Sequence, residues 1–423
     1  MALLLVALIW ATAAAPLTMN DIAERYVRLV LALGEHDRDY VDAYYGPAAW
    51  RDEVRARKPG LDAIDAGAAD LLRRHSEMRP DGGDELVALR HAYLQKQLES
   101  MRARVAMLRG TRLSFDEESR ALYDAVAPRN SEEHFAKLLD ALDKRFPGSG
   151  PLVERFEAWH RRFVIPRDRL EAVFKAAIDE CRARTLKHIQ LPAHESFTVE
   201  YVTKKSWSAY NWYQGDFRSL IQVNTDLPIY IDRAVDLACH EGYPGHHVYN
   251  ALLEKALVDG RGWPEFSVYA LFSPQSLIAE GTANFGIEVA FPGRERTEFE
   301  RRVLFPRAGL DPATAAEYYD VYELVEKLAY AGNEAARRYL NGEIDATAAA
   351  AWLQRYALMP RERAEQRVRF FDQYRSYVIN YNLGKDLVRA YIEKRGGMEG
   401  APDKRWAEFE RLLSSPRLPS GLR

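Results

Sequence analysis

The sequence predicts a mostly α fold with a single small β-sheet, at about residues 197–225, and three observations lead there. Apolar residues recur at three- and four-residue steps along most of the chain. The pattern changes to short β-branched and aromatic runs only between Phe197 and Tyr230. Pro/Gly punctuation falls between the helical stretches. Composition permits such a fold: 47% hydrophobic residues, with eight Trp, 23 Tyr and 17 Phe, are ample core material for 423 residues and exclude disorder across most of the chain. The 59 basic and 62 acidic side chains leave a net charge of −3, without the basic excess of a nucleic-acid binder. Cys181 and Cys239 are too few for a disulfide framework or an all-thiolate zinc site and leave room for one bridge at most.

In chain order, residues 1–15 come first. The apolar run Ala2 to Ala11 is much shorter than the ~20 residues that span a bilayer, so no stable membrane span is expected. Small residues and Pro16 follow it, as in a secretory signal, although no Lys or Arg precedes it. The reading is a signal peptide and a periplasmic or secreted protein; the alternative is a buried N-terminal helix of a cytoplasmic one. Residues 16–150 read as an N-terminal helical subdomain, with Ile22, Tyr26, Leu29, Val30 and Leu33 at helical spacing and a second such stretch from Leu86 to Leu108. The densest Pro/Gly cluster, Pro147-Gly148-Ser149-Gly150-Pro151, marks the boundary to residues 151–423. There, Phe197 to Val202 and Leu220 to Val223 are the expected strands, around a Gly215-Asp216 turn. Helices resume after Tyr230, with Asp311-Pro312 and Met359-Pro360 as helix starts.

Three of the ten histidines fall in His240-Glu241-Gly242-Tyr243-Pro244-Gly245-His246-His247. The window opens as the zinc-protease motif H-E-x-x-H does, but the fourth position after His240 is Pro244. On an unbroken helix His246 would sit ~120° around from His240, and His247 ~10 Å further along the same face. Neither could share a zinc ion with it, since nitrogen ligands sit at ~2.1 Å. Pro244 removes the N–H that would bond the His240 carbonyl and clashes with that carbonyl, so the helix breaks there. Gly245 then permits a sharp change of direction, and a histidine just after the break, His246 or His247, can swing back to His240. Against this stands a plain helical corner with surface histidines, which leaves unexplained why His-Glu follows the apolar run Val235 to Cys239.

A zinc hydrolase needs a third protein ligand, a base and an open position. Ser273-Pro274 opens a largely apolar helix on which Glu280, Asn284 and Glu288, spaced four and four, form one polar stripe. Carboxylates on a buried face need partners or a metal. Glu280 is the stronger ligand candidate, with Asn284, Glu288 and His247 as residues that support the ligands; the alternative is that the stripe is simply solvated.

These motifs resemble the mostly bacterial family catalogued as domain of unknown function 885, whose members look like zinc peptidases. The resemblance rests on His240 through His246, on Ala279-Glu280-Gly281 with Ala283, and on Tyr374-Arg375 with Tyr381-Asn382-Leu383-Gly384-Lys385, in that order between about Phe197 and Arg395. Where the family commonly has Trp after its Glu-Gly, this chain has Thr282. The resemblance implies a large helical zincin-like fold of thimet-oligopeptidase-like, gluzincin-like architecture, one zinc ion on His240, His246 and Glu280, and Glu241 as general base. It favours His246 over His247. It also lifts Tyr381 and Arg375 out of the Tyr374, Tyr377, Tyr381 stripe, which by spacing alone reads as core. Tyr381 is expected at the oxyanion and Arg375 at a substrate carboxylate, where a forked donor fits. The strand Leu220-Ile221-Gln222-Val223 is expected to hold an extended peptide by strand addition.

The function expected is therefore a zinc metallopeptidase acting on short peptides. A metal-dependent hydrolase of a non-peptide amide or ester is the second reading, and a helical binding protein with a vestigial metal site the third.

Overall fold

A computed structural model of the chain describes residues 17–80 and 83–423. The signal-peptide reading of residues 1–15 lies outside them. The fold is mostly helical, as expected. Met19–Gly34 is the first helix, closed by a reciprocal cap in which Thr18 and Asp21 satisfy each other's backbone N–H groups. Ile22, Tyr26, Val30 and Leu33 are buried on its inner face, with Leu29 half-buried beside them. Glu85–Leu108 forms the second stretch read from periodicity. The 147–151 segment is the loop between the Glu132–Asp143 and Leu152–His160 helices, and one continuous apolar core runs across it. No helix among the described residues is long and apolar enough to cross a membrane.

Five short strands accompany the helices among the described residues. β1 (Val41–Tyr44) pairs antiparallel with β5 (Val268–Ala270); β2 (Ser196–Val202), β3 (Ala209–Gly215) and β4 (Arg218–Asn224) form a separate sheet in the order β2-β4-β3. β2 runs parallel to β4 and β3 antiparallel to it, with the turn at Gly215-Asp216. The expectation that strands occur only between Phe197 and Tyr230 is corrected by the β1–β5 ribbon. Its strands are four and three residues long and pair across more than 220 positions, so local periodicity carries no trace of them.

The three-stranded sheet corrects a second expectation. Leu220, Ile221, Gln222 and Val223 belong to β4, the middle strand, bonded to β2 on one side and β3 on the other, so β4 has no free edge for an extended substrate. Strand propensity is visible in a sequence, whereas the order of strands in a sheet is not. Within this sheet the edge strand β3 lends Ala209 to Trp212 to the wall of the cavity described below, and β4 lends only Gln222.

Two helices frame the site. Pro274–Ala290 starts where Ser273-Pro274 predicted, although Ser273 donates its hydroxyl to the Ala270 carbonyl at 2.7 Å and makes no side-chain cap. It crosses Ile379–Lys394 back to back at two glycines. A Cβ on Gly281 would lie 2.5 Å from the Gly384 carbonyl carbon, and one on Gly384 would lie 2.7 Å from the Leu277 carbonyl oxygen. This close approach brings Glu280 and Tyr381 to one place.

Candidate metal centre

The Asp232–Leu237 helix passes into a wider, π-type turn over Ala238–Gly242, and a new helix starts at His246. The Tyr243–Pro244 peptide bond is cis. At the corner the Gly245 N–H donates to the Cys239 carbonyl at 2.9 Å, and a Cβ on Gly245 would fall 1.9 Å from the His240 carbonyl oxygen. No other residue fits this corner. The Cys181 and Cys239 sulfurs meet at 2.7 Å, joining the Leu170–Thr185 helix to the same turn.

The break does what the Pro-Gly pair suggested. His240 Nε2 and His246 Nε2 lie 3.1 Å apart, and Glu280 Oε2 lies 3.2 Å from the first and 3.7 Å from the second. A tetrahedral ion with ~2.1 Å bonds separates its ligand atoms by about 3.4 Å, so the three atoms already stand at the spacing that zinc requires. Glu280 Oε1 accepts a hydrogen bond from the Tyr377 hydroxyl at 2.7 Å, while Oε2 is buried without any hydrogen-bond partner. A buried carboxylate oxygen left unpaired is costly unless a cation meets it. Burial alone would raise the Glu280 carboxyl, yet the neighbouring imidazoles of His240 and His246 hold it well below the usual carboxylate range.

Glu241 competes with Glu280 for the third position, since His240, Glu241 and His246 also offer atoms within 4.8 Å of one another. The distances favour Glu280: Glu241 Oε1 is 4.0 Å from His240 Nε2, longer than a tetrahedral edge. Burial pushes the Glu241 carboxyl up to about 7, with His246 opposing and Glu280 adding to the rise. A dication beside it would draw that value down again. Asn211 on β3 donates to the Glu241 carbonyl at 2.7 Å and fixes this backbone against the sheet.

His247 is fully committed elsewhere. Its Nδ1 meets the Ser219 hydroxyl and its Nε2 meets Glu195 Oε2, both at 2.9 Å, and Glu195 also receives Tyr243 at 2.5 Å and Arg182 at 2.7 Å. It therefore braces the corner and has no nitrogen left for an ion. Replacing His247 by Ala leaves Glu195 and Ser219 short of a partner, which should cost about 1–3 kcal/mol of stability. Thermal unfolding and metal content check this: a lower Tm with no loss of whatever metal the wild type takes up is expected, and loss of metal with unchanged Tm contradicts it.

Tyr381, Glu288 and Asn284 all line a cavity of about 800 Å³ that opens onto His240, Glu241, His246 and Glu280. Burial, with Glu280 and then Glu241 nearby, raises the Tyr381 hydroxyl well above its usual range, so it remains a donor. Asn284 bonds the Glu280 carbonyl at 3.0 Å and the Tyr381 carbonyl at 3.3 Å, tying the two framing helices together. Glu288 is turned away from His240, His246 and Glu280; it pairs with Lys385 at 2.8 Å and with Arg389. Thr282 is buried, its hydroxyl donating to the Ala279 carbonyl at 3.0 Å.

Arg375 is the third correction. It is not among the residues lining the cavity; its Nε donates to Glu118 at 2.7 Å, and the same carboxylate accepts from Ser376 N at 3.1 Å and Ser376 Oγ at 2.7 Å. Glu118 is 1% exposed and belongs to the Phe115–Tyr123 helix. Arg375 thus pins, on a positive φ of 52°, the turn that carries Tyr377 and leads into the helix of Tyr381. Its acidic partner lies 257 positions away, beyond what spacing can reveal.

Three residues of the site escaped the sequence reading. Tyr377 looked like core but supports Glu280. Asp42, on β1, lies half-buried at the cavity, accepts from the Tyr210 hydroxyl at 2.5 Å and is pushed up to about 6 by desolvation. Arg367 is treated below. The only available signal was Asp42 within the aromatic run Tyr40 to Tyr45.

No family model matches the chain, and no curated protein matches it. Among solved structures, a presumed lipoprotein from Colwellia psychrerythraea is similar at 16% identity and a TM-score of 0.51, over 96% of this chain and 75% of that one. The likeness is one of fold. A presumed lipoprotein of unknown function from Shewanella oneidensis follows at 14% identity and a TM-score of 0.48, over 89% and 78% of the two chains. An M32 carboxypeptidase from Deinococcus radiodurans stands at 14% identity and 0.46, over 93% and 89%.

Proposed function

We propose that the chain is a zinc-dependent hydrolase of short peptides and a member of the family its motifs resemble. The observation that carries the reading is the meeting of His240 Nε2, His246 Nε2 and an unpartnered Glu280 Oε2 at tetrahedral spacing, on the wall of a cavity with room for a peptide. His240, His246 and Glu280 would hold the ion, with Tyr377 orienting the Glu280 carboxylate. When bound, zinc supplies Lewis-acid polarisation of the scissile carbonyl and acidifies the attacking water.

The chain's own residues supply the rest. Glu241, raised by burial, takes the proton from the water and passes it to the departing amine. Tyr381, on the facing helix, donates a hydrogen bond to the oxygen on which charge develops. Water is largely excluded from these groups by the burial of Glu241 and Glu280, which strengthens each interaction.

Tyr381→Phe is expected to lower kcat by ~10²-fold with zinc retained, by the usual worth of an oxyanion donor; steady-state kinetics beside metal analysis check it, and an unchanged kcat removes Tyr381 from the mechanism. The reading as a whole is tested by incubating the zinc-loaded chain with a short-peptide library, with and without chelator, and reading products by mass spectrometry. Chelator-sensitive cleavage of peptide bonds is expected. Turnover of small non-peptide amides or esters alone would overturn the peptide assignment.

A further inference from the structure

Arg363 and Arg367 stand four residues apart on the Arg361–Tyr374 helix, share one of its faces and line the cavity. Several other inward-facing arginines of this chain are matched: Arg296 pairs with Asp236 at 2.8 Å, Arg337 with Asp116 at 2.9 Å, and Arg90 with Glu265 at 2.5 Å, whereas the buried Arg405, also on the cavity, comes only to 3.9 Å from Glu288. Arg363 and Arg367 have no carboxylate partner among the described residues. Arg363 makes one hydrogen bond, to the Pro228 carbonyl at 3.4 Å. Arg367 makes none, and its Nε is buried without any partner. Its guanidinium instead lies over the Phe370 ring at 4.5 Å and the Tyr381 ring at 5.6 Å. Burial presses both arginines below their usual range, as expected of cations removed from water without a counter-charge.

A fork of N–H donors that is partly desolvated, stacked on aromatic rings at Arg367 and left without an acid matches an anionic group with paired oxygens, of which a carboxylate is the one a peptide carries. We propose that Arg367, assisted by Arg363, is the subsite that receives a carboxylate of the substrate, either the free C-terminus of a short peptide or an acidic side chain. Because Arg367 stacks on Tyr381, that carboxylate sits close to the bond being cleaved. The subsite rests on the hydrolase reading for the identity of the substrate, and on the unpaired arginines alone for its preference for an anion. It takes the recognition role expected of Arg375, which Glu118 occupies.

The test is calorimetric binding to the full, zinc-loaded chain carrying Glu241→Gln, so that bound peptide is not consumed. The probes are acetyl-trialanine as the free acid, the same peptide as its amide, and an amidated analogue with a central glutamate. The acid, the glutamate analogue or both should bind on the order of 10-fold more tightly than the plain amide, the worth of a charge-assisted bidentate contact. Which of the two does so identifies the source of the carboxylate. Arg367→Gln should reduce the preference to within about twofold, as should Arg363→Gln in part, whereas Arg375→Ala should leave it intact. Arg367→Lys keeps the charge without the fork and serves if Arg367→Gln does not fold; a partial preference is expected. Equal binding of all three probes by the parent chain, or a preference that survives both Arg367 substitutions, overturns the proposal. The two readings fail separately. An anion preference in a wild-type chain that cleaves no peptide sinks the hydrolase reading alone, and cleavage without any anion preference sinks the subsite alone.

Discussion

Glu241→Gln is expected to keep one zinc ion per chain and to lose turnover by on the order of 10³-fold, within the range that a positioned general base contributes. Glutamine preserves the size of the side chain but cannot accept the proton. Neighbouring residues on a helical turn point ~100° apart, so Glu241 and His240 cannot easily converge on one ion. Glu241 Oε1 accordingly stands 4.0 Å from His240 Nε2, while Glu280 Oε2 stands at 3.2 Å. Metal analysis and single-turnover kinetics on the purified variant decide it. Loss of zinc with the substitution would make Glu241 a ligand, and near-full turnover would remove it from the chemistry.

Gly245→Ala is expected to empty the site although every proposed ligand remains. The added Cβ falls 1.9 Å from the His240 carbonyl oxygen and 2.4 Å from that of Cys239. Both are backbone atoms, so neither can swing aside as a side chain would. The corner must open, and His246 then leaves His240. Overpacking of this kind costs about 1–3 kcal/mol or more, and the displaced ligand should weaken zinc binding by at least ~10²-fold, beyond what loss of a supporting residue does. Gly332→Ala is the matched control: that glycine sits in the Ala331–Leu340 helix with open space where its Cβ would go. It should be neutral or slightly stabilising. Zinc titration of the two variants separates the cases; wild-type affinity in Gly245→Ala would show that the corner does not depend on glycine.

The site was legible where its chemistry is written locally. His240, Glu241 and His246 lie within seven residues, and the Pro-Gly interruption announced both the broken helix and its sharp change of direction. The polar stripe on an apolar helix pointed to Glu280 in the same way. What stayed hidden depends on contacts between distant segments. The order β2-β4-β3 places Leu220 to Val223 in the middle of the sheet, and only the folded chain sets Arg375 against Glu118. Nothing in the sequence singles out Arg363 and Arg367 within their arginine-rich helix, because the lack of an acidic partner is a property of the assembled cavity. The choice between His246 and His247 needed either the family pattern or the Glu195–His247–Ser219 network, since helical geometry alone permits both.

Whether one zinc ion is held by His240, His246 and Glu280 is tested most directly by anomalous diffraction at the zinc edge from crystals of the zinc-loaded wild-type chain. The account requires a single peak at about 2.1 Å from His240 Nε2, His246 Nε2 and Glu280 Oε2. A peak bound instead through His247 or Glu241, or no peak in this cavity at full zinc occupancy of the medium, would contradict it.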